Sequence, residues 1–166
     1  MHPYKHFSDG MMKTKNIHGL IGLVILILFA RQAGAAEWIF YGKSNTGNAY
    51  YDQSSIKNVK QNIVSVSTKT LYNDVGKLEN YSVLKDMRRA PVNPYVLSHE
   101  LIQFEIDCQQ AKIKISSRRI CDKRGNVIAS EPPFDNPWKR IAPGSIFETL
   151  KNEVCRAGRI AGIKKK

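Results

Sequence analysis

The stretch PWKRIAPGSIFETLKNEVC, residues 137–155, decides the fold because it contains a chain break, a helix start and a cysteine. A Pro-Gly step at 143–144 breaks the chain, and Ser145 with Glu148 three residues later forms a capping box. Apolar residues then recur at helical spacing, at Ile146, Leu150, Val154 and Ala157. This pattern predicts an amphipathic helix that ends at Gly158 and buries its apolar stripe against a sheet.

The segments before this helix alternate as strands do. Glu37–Gly42 and Ala49–Gln53 flank a turn cluster and predict a hairpin. Ile63–Tyr72 has the clearest period of two, which predicts a strand with one buried side. Leu97–Cys108 alternates less clearly and is also interpreted as a strand, while Lys112–Cys121 and the VIAS segment after it predict a second hairpin.

Two connecting segments carry weaker patterns. Residues 54–62 are polar and predict a connection with at most one helical turn, and residues 73–94 are rich in breakers and predict irregular structure. The sequence therefore predicts an α+β fold, in which a sheet of antiparallel strands is covered by one C-terminal amphipathic helix.

The N-terminal segment has the pattern of an export signal. Basic residues precede the uncharged run Leu20–Ala30, and small residues follow it. The run is shorter than the roughly 20 apolar residues of a membrane span, which disfavours an anchor. We expect residues 1–35 to be an extension and signal peptide, cleaved by signal peptidase to leave a domain over 36–160 and a basic tail over 161–166. Without a cysteine near the cleavage site, we expect no lipid anchor.

The chain is strongly basic, with a formal net charge of +12. Residues 36–166 keep 22 of its 26 Lys and Arg and 13 of its 14 Asp and Glu, a net charge of +9. Such a charge attracts polyanions, and export argues against nucleic acid as the partner. The candidate partner-binding surface consists of basic residues from two clusters, namely Lys85, Arg88, Arg89, Arg118 and Arg119.

Residues with catalytic chemistry are sparse. His99 is the one histidine after residue 35, and although Glu105 and Asp107 share its strand face, side chains on one face do not converge on a metal. We therefore assign no catalytic, cofactor-binding or metal-binding residue. Trp38 and Trp138 are interpreted as packing residues in preference to ligand platforms.

Three cysteines remain in an oxidising compartment, so one pair and one spare thiol are expected. Cys108 ends a predicted strand and Cys155 lies on the helix, so a bond between them would join helix to sheet. Cys108 with Cys121 is the competing pair, as hairpin neighbours, and the residues alone leave both open. A spare Cys121 is interpreted as unpaired or intermolecular, in preference to a reactive thiol activated by nearby basic residues.

The chain also resembles a known family. The segments AEWIFYG, GNAYYDQSSI from Gly47, FEIDC at Phe104–Cys108 and the opening stretch together resemble the surface-adhesin protein E family of Gram-negative bacteria. The resemblance implies a sheet of about six antiparallel strands, with the C-terminal helix on its concave face. It also implies that Cys108 pairs with Cys155.

The function that the resemblance implies is binding. Family members are envelope adhesins that dimerise and bind host matrix or plasma proteins such as vitronectin and laminin. We therefore expect an exported, non-enzymatic protein, periplasmic or associated with the outer membrane or cell surface, that binds a protein or polyanionic partner and can form a homodimer. The alternatives are a structural periplasmic component without a ligand, and a periplasmic hydrolase with an acid or base near His99.

Overall fold

The computed structural model describes the backbone of residues 35–131 and 136–163 and side chains as far as Gly158. The predicted signal peptide therefore lies almost wholly outside the described residues. So do four residues of the proline-rich loop and the side chains of the basic tail.

The described chain forms one antiparallel sheet and two helices. The strands are β1 (Trp38–Ser44), β2 (Gly47–Asp52), β3 (Lys57–Lys60), β4 (Ile63–Tyr72), β5 (Leu97–Asp107), β6 (Lys112–Asp122), β7 (Val127–Glu131) and β8 (Lys139–Arg140). Their order is β1-β2-β4-β5-β6-β7, while β3 pairs with β4 and β8 with β6. The helices are α1 (Asp74–Asp86) and α2 (Ile146–Ile163). The predicted fold class and both hairpins are confirmed.

Both helices cover the same face of the sheet. On this helix face, Val64 pairs with Ile106 and Val66 with Phe104, and the buried Leu150 of α2 belongs to the same cluster. A second cluster places Leu84 of α1 against residues that continue the same face, namely Tyr72, Leu97 and Ile120. The other face, here called the open face, is covered by no element that the structure describes. The predicted burial of alternate residues along β4 is therefore confirmed.

The start of α2 has the predicted cap. The Glu148 backbone N–H donates to Ser145 Oγ at 3.3 Å, and Glu148 Oε2 accepts from the backbone N–H of Gly144 at 2.7 Å. The predicted end at Gly158 is wrong, because α2 continues to Ile163. Gly158 instead permits close packing, since a Cβ there would lie 3.0 Å from the Val64 side chain, and its carbonyl accepts from Asn58 Nδ2 at 3.1 Å.

Helix α1 occupies a segment that the sequence predicted to be irregular. The Asn73 side chain caps its first turn by accepting from the backbone N–H of Gly76 at 2.8 Å. Gly76 lets the helix start approach the β1–β2 turn, because a Cβ there would lie 2.2 Å from the Thr46 carbonyl oxygen. The neighbouring polar connection also contains more order than predicted, in the short strand β3.

The disulfide joins Cys108 and Cys155, whose Cα atoms are 5.8 Å apart. It connects the turn after β5 to α2, 47 residues later, and so fixes the helix to the sheet. Cys155 is 8% exposed and adjoins the buried Val154. The family-implied pairing is confirmed, and Cys121 is left as the free thiol among the described residues.

Candidate functional site

The structure does not bring the five predicted basic residues together. Arg118 and Arg119 are neighbours on β6, so their side chains point to opposite faces of the sheet. Arg118 lies under α1, while Arg119 is exposed on the open face. The other three, Lys85, Arg88 and Arg89, are exposed at the C-terminal end of α1.

Arg118 is the centre of a polar cluster between α1 and the sheet. Its Nε donates to Glu100 Oε2 at 2.8 Å, its Nη2 donates to Asn80 Oδ1 at 2.6 Å, and Glu131 Oε1 is 3.4 Å from Nη1. The guanidinium is thereby compensated by two carboxylates. Arg118 therefore attaches α1 to β5 and β7 and is not available to an external anion.

Tyr72 adds a buried hydroxyl beside this cluster. Its oxygen makes no hydrogen bond with a described residue. Burial raises the pKa of Tyr72 above its ordinary value, and the nearby Glu100 carboxylate acts in the same direction. A neutral phenol is therefore retained here at any physiological pH.

The exposed side of α1 and the loop after it carry an unusual share of apolar surface. We call the exposed residues from Val75 to Val96 the α1 surface. Seven of the twelve exposed large apolar residues of the described chain lie on it, namely Val75, Leu78, Val83, Met87, Val92, Tyr95 and Val96. Lys85, Arg88 and Arg89 lie between them without an ion pair to a described residue. Exposed apolar residues concentrated on one element of a protein are typical of an interaction site.

The α1 surface is ordered at its basic end. Arg88 adopts a left-handed conformation with φ 57°. Its N–H donates to the Lys85 carbonyl at 2.9 Å, and the Arg89 N–H donates to the Leu84 carbonyl at 2.8 Å. These bonds close the C-terminus of α1 and fix the backbone from which the basic side chains project. The sequence missed this surface because no helix was predicted, although Asn73 at the cap position was an available signal.

The open face carries aromatic and polar side chains instead of an apolar core. Lys69 Nζ lies 4.2 Å from the centroid of the Trp38 ring, and the Phe40 and Tyr50 rings meet edge to face at 5.6 Å. Trp138 is likewise covered by a lysine, Lys114, at 5.1 Å. Both tryptophans thus contact lysines on the sheet and are half-buried. Burial lowers the pKa of Lys69.

A pocket of about 210 Å³ opens on this face next to Trp38. Asp52, Gln103, Ser117 and Arg119 contribute to its lining. A larger, open groove of about 1160 Å³ lies at the disulfide between β3, the turn after β5 and α2. Its lining is rich in amides, namely Asn58, Gln61, Asn62, Gln109 and Asn152.

His99 lies on the open face, paired with Leu71 on one side and Cys121 on the other. Its pKa is lowered by burial and by the nearby charge of Lys69, while Asp122 acts in the opposite direction. Among the described residues, His, Cys, Asp and Glu nowhere gather in groups of three that could hold a metal. Glu105 is engaged with Lys114 at 3.1 Å, so it does not converge with His99.

Cys121 is 1% exposed. Burial raises the pKa of its thiol, and the Arg119 charge only partly opposes that rise. The thiol is therefore not activated by the neighbouring basic residues, and its burial makes a bond to a second chain unfavourable. The free thiol is one of the two states predicted for Cys121, and its burial disfavours the other, an intermolecular disulfide.

A comparison with known protein families now adds to this geometry. The model of the family described as surface-adhesin protein E matches residues 38–156. The chain belongs to the surface-adhesin protein E family. The match begins at β1 and ends within α2, so it spans the sheet, both helices and the disulfide.

Membership places the protein among surface adhesins, a class of surface or secreted proteins whose role is binding. No curated protein matches the chain, and neither does any solved structure. In the described part of the chain, no helix has the length and apolar character needed to cross a membrane.

Proposed function

We propose that this protein is an exported, non-enzymatic adhesin of the bacterial envelope that binds a protein partner through the α1 surface. The observation that carries the proposal is the concentration of seven exposed apolar residues around three exposed basic residues on α1 and its following loop. Interface cores are enriched in Met, Tyr and Arg, and Met87, Arg89 and Tyr95 supply these residue types.

The charge of the α1 surface favours a protein over a uniform polyanion. Residues 74–96 contain four basic residues and three acidic ones. Asp74 pairs with Lys77 at 2.9 Å, which leaves Glu79 and Asp86 as exposed carboxylates. A polyanion would be repelled by these two carboxylates, whereas a protein can place opposite charges against both signs and apolar atoms between them.

The experiment measures binding of the purified protein to immobilised vitronectin and laminin, the partner types of the family, with heparin as a polyanion. We expect saturable binding to a protein ligand, weakened at least tenfold by the double substitution Met87→Ser and Tyr95→Ser. Val127→Ser on β7 is the matched control, because Val127 is 50% exposed and lies outside the α1 surface.

The other outcomes separate the alternatives. Binding to heparin alone, lost with rising salt and unchanged by the double substitution, would favour a polyanion ligand. Absence of binding to every probe would favour a structural periplasmic component. A turnover that His99→Ala abolishes in a folded protein would establish a periplasmic hydrolase instead.

A further inference from the structure

The pocket beside Trp38 is lined by polar groups whose hydrogen-bonding capacity is only partly used within the described protein. Asp52 is 9% exposed, and its Oδ1 accepts from the Glu37 N–H at 3.0 Å and from the Ser54 N–H and hydroxyl at 2.9 and 2.6 Å. Its other oxygen, Oδ2, accepts no hydrogen bond from a described residue. Ser117 Oγ and the Arg119 guanidinium also make none within the described ranges. Tyr72 Oη is the one buried side-chain oxygen without a partner among the described residues, so Asp52 Oδ2 is accessible from the pocket and can accept from water or a ligand.

Other side chains of the pocket are held in fixed positions. Gln103 Oε1 accepts from Ser67 Oγ at 2.9 Å, and its Nε2 donates to Ser65 Oγ at 2.5 Å. Trp38 is held by Lys69 over its ring. The pocket walls therefore do not need to be ordered when a ligand enters, which lowers the entropic cost of binding.

The chemistry of the lining selects among ligand classes. A ligand hydroxyl group both donates and accepts hydrogen bonds. The pocket offers it a carboxylate that accepts, a guanidinium that donates and a hydroxyl that does either. A ligand with a net positive charge would be repelled by Arg119, and one with a net negative charge would be repelled by Asp52. The two lining charges together therefore favour a ligand without a net charge. The indole of Trp38 supplies an apolar surface for C–H groups. A neutral sugar ring presents this combination, with hydroxyls at its rim and C–H groups on its faces.

We propose that the Trp38 pocket is a binding site for one neutral hexose unit of a saccharide. The volume of about 210 Å³ is below the roughly 300–1,000 Å³ of sites that enclose drug-sized molecules, which fits a single ring. The pocket lies on the open face and α1 on the helix face, so this site is separate from the α1 surface and does not depend on it. A single ring at an open site binds weakly, with a Kd on the order of 1 mM.

The test is an NMR titration of the purified protein with the methyl glycosides of glucose, galactose, mannose and N-acetylglucosamine. The indole N–H signals of Trp38 and Trp138 report two tryptophans on one protein, and Trp138 does not line the pocket. We expect at least one glycoside to shift the Trp38 signal saturably and leave the Trp138 signal unchanged. No saturable shift with any of the four, or equal shifts of both indoles, would overturn the proposal.

Substitutions locate the site. Ser117→Ala and Arg119→Ala should each weaken binding at least fivefold, and the dispersed amide spectrum should show that both variants stay folded. Arg140→Ala is the matched control, because Arg140 is exposed on β8, beside Lys112 at the far end of β6. Binding that survives both pocket substitutions would overturn the assignment.

Charged probes test the ligand class. Glucuronic acid should bind more weakly than the corresponding neutral glycoside, because the carboxyl group of Asp52 disfavours a second carboxylate in the pocket. Tighter binding of the acid, or tighter binding of a short polyglutamate peptide, would overturn the neutral-sugar proposal. Neither result would affect the protein-binding function of the α1 surface, which the Met87→Ser and Tyr95→Ser pair tests independently.

Discussion

The two faces of the sheet use the same strands for opposite purposes. The helix face is closed and, apart from the polar cluster around Arg118, apolar, with Val66, Ile106 and Leu150 fully buried. The open face carries a hydrogen-bonded ladder of Ser65, Ser67 and Gln103 and half-buried aromatic rings under lysines. Because successive residues of a strand alternate between faces, a single segment supplies both a core and a polar surface.

Arg118 and Arg119 show what this difference means for function. The two side chains are identical and adjacent, yet one bonds Glu100 and Asn80 beneath α1 and the other is exposed without an ion pair to a described residue. Proximity in sequence therefore does not define a surface in a sheet protein. Basic residues that follow one another along a strand must first be sorted by the face of the sheet to which they point. Only those on the same face can bind the same partner.

The largest effect that we expect comes from removing the bond that holds α2 on the helix face. The double substitution Cys108→Ala and Cys155→Ala should lower the free energy of unfolding by about 2–5 kcal/mol, as for native disulfides in small secreted domains. The reason is the gain in unfolded-state entropy when a loop with a sequence separation of 47 residues is released. Urea denaturation of the purified protein measures it.

Cys121→Ala is the matched control for this experiment. It removes one buried sulfur without opening a loop, so it should cost about 1 kcal/mol. A larger loss for Cys121→Ala than for the double variant would contradict the assigned role of the disulfide. A non-reducing gel should show no disulfide-linked dimer of the native protein, since Cys121 is 1% exposed.

A second comparison substitutes one leucine on each side of the sheet. Leu150→Ala empties a fully buried position under α2 and should cost about 3 kcal/mol, within the usual range for a core leucine. Leu101 is half-buried on the open face, and Leu101→Ala should lower the free energy of unfolding by about 1 kcal/mol, because solvent can fill the space that the side chain leaves. Equal losses in chemical denaturation would mean that the open face is covered in solution, for example by a second copy of the chain.

The paired arginines provide a third and smaller test. Arg118→Ala leaves Glu100, with its side chain 12% exposed, without its cation, and should cost about 2 kcal/mol. Arg119→Ala should change the free energy of unfolding by no more than about 0.5 kcal/mol, as at other exposed sites. Thermal and urea unfolding of both variants measure the difference. A greater loss for Arg119→Ala would show that the assignment of faces is reversed.

Much of the fold could be predicted because its signals are local. The alternation of Ile63–Tyr72 and the Ser145–Glu148 capping box each specify one element, and both elements are present. Helix α1 was missed because the segment contains Gly76, which disfavours helix in isolation, and lacks a clear apolar stripe. Its stability comes from tertiary contacts, such as the close approach of Gly76 to Thr46, which a local pattern cannot reveal.

The candidate sites were less predictable because they depend on long-range register. The Trp38 pocket joins residues from β1, β2, β5 and β6, and only strand pairing brings Asp52 and Arg119 to one place. The disulfide was chosen through the family resemblance, since spacing alone left two pairings open. The α1 surface could not be proposed before α1 itself was recognised.

The smallest expected effect is a pH dependence from His99 on the open face. Its pKa in the folded protein is lowered, by burial first and by Lys69 second, from about 6.5 in an unfolded chain. Between the two values the unfolded state binds more protons, so the free energy of unfolding falls as the pH drops below about 6.5 and levels off below the folded pKa. His99→Gln should remove this pH dependence, while Lys69→Gln should reduce it by raising the pKa of His99.

Urea denaturation at pH 8 and pH 5.5 gives the difference in stability, and an NMR titration of the imidazole gives the pKa directly. An unchanged pH slope in His99→Gln would mean that His99 is as solvated in the folded protein as in the unfolded chain, and that the open face does not desolvate the groups it carries.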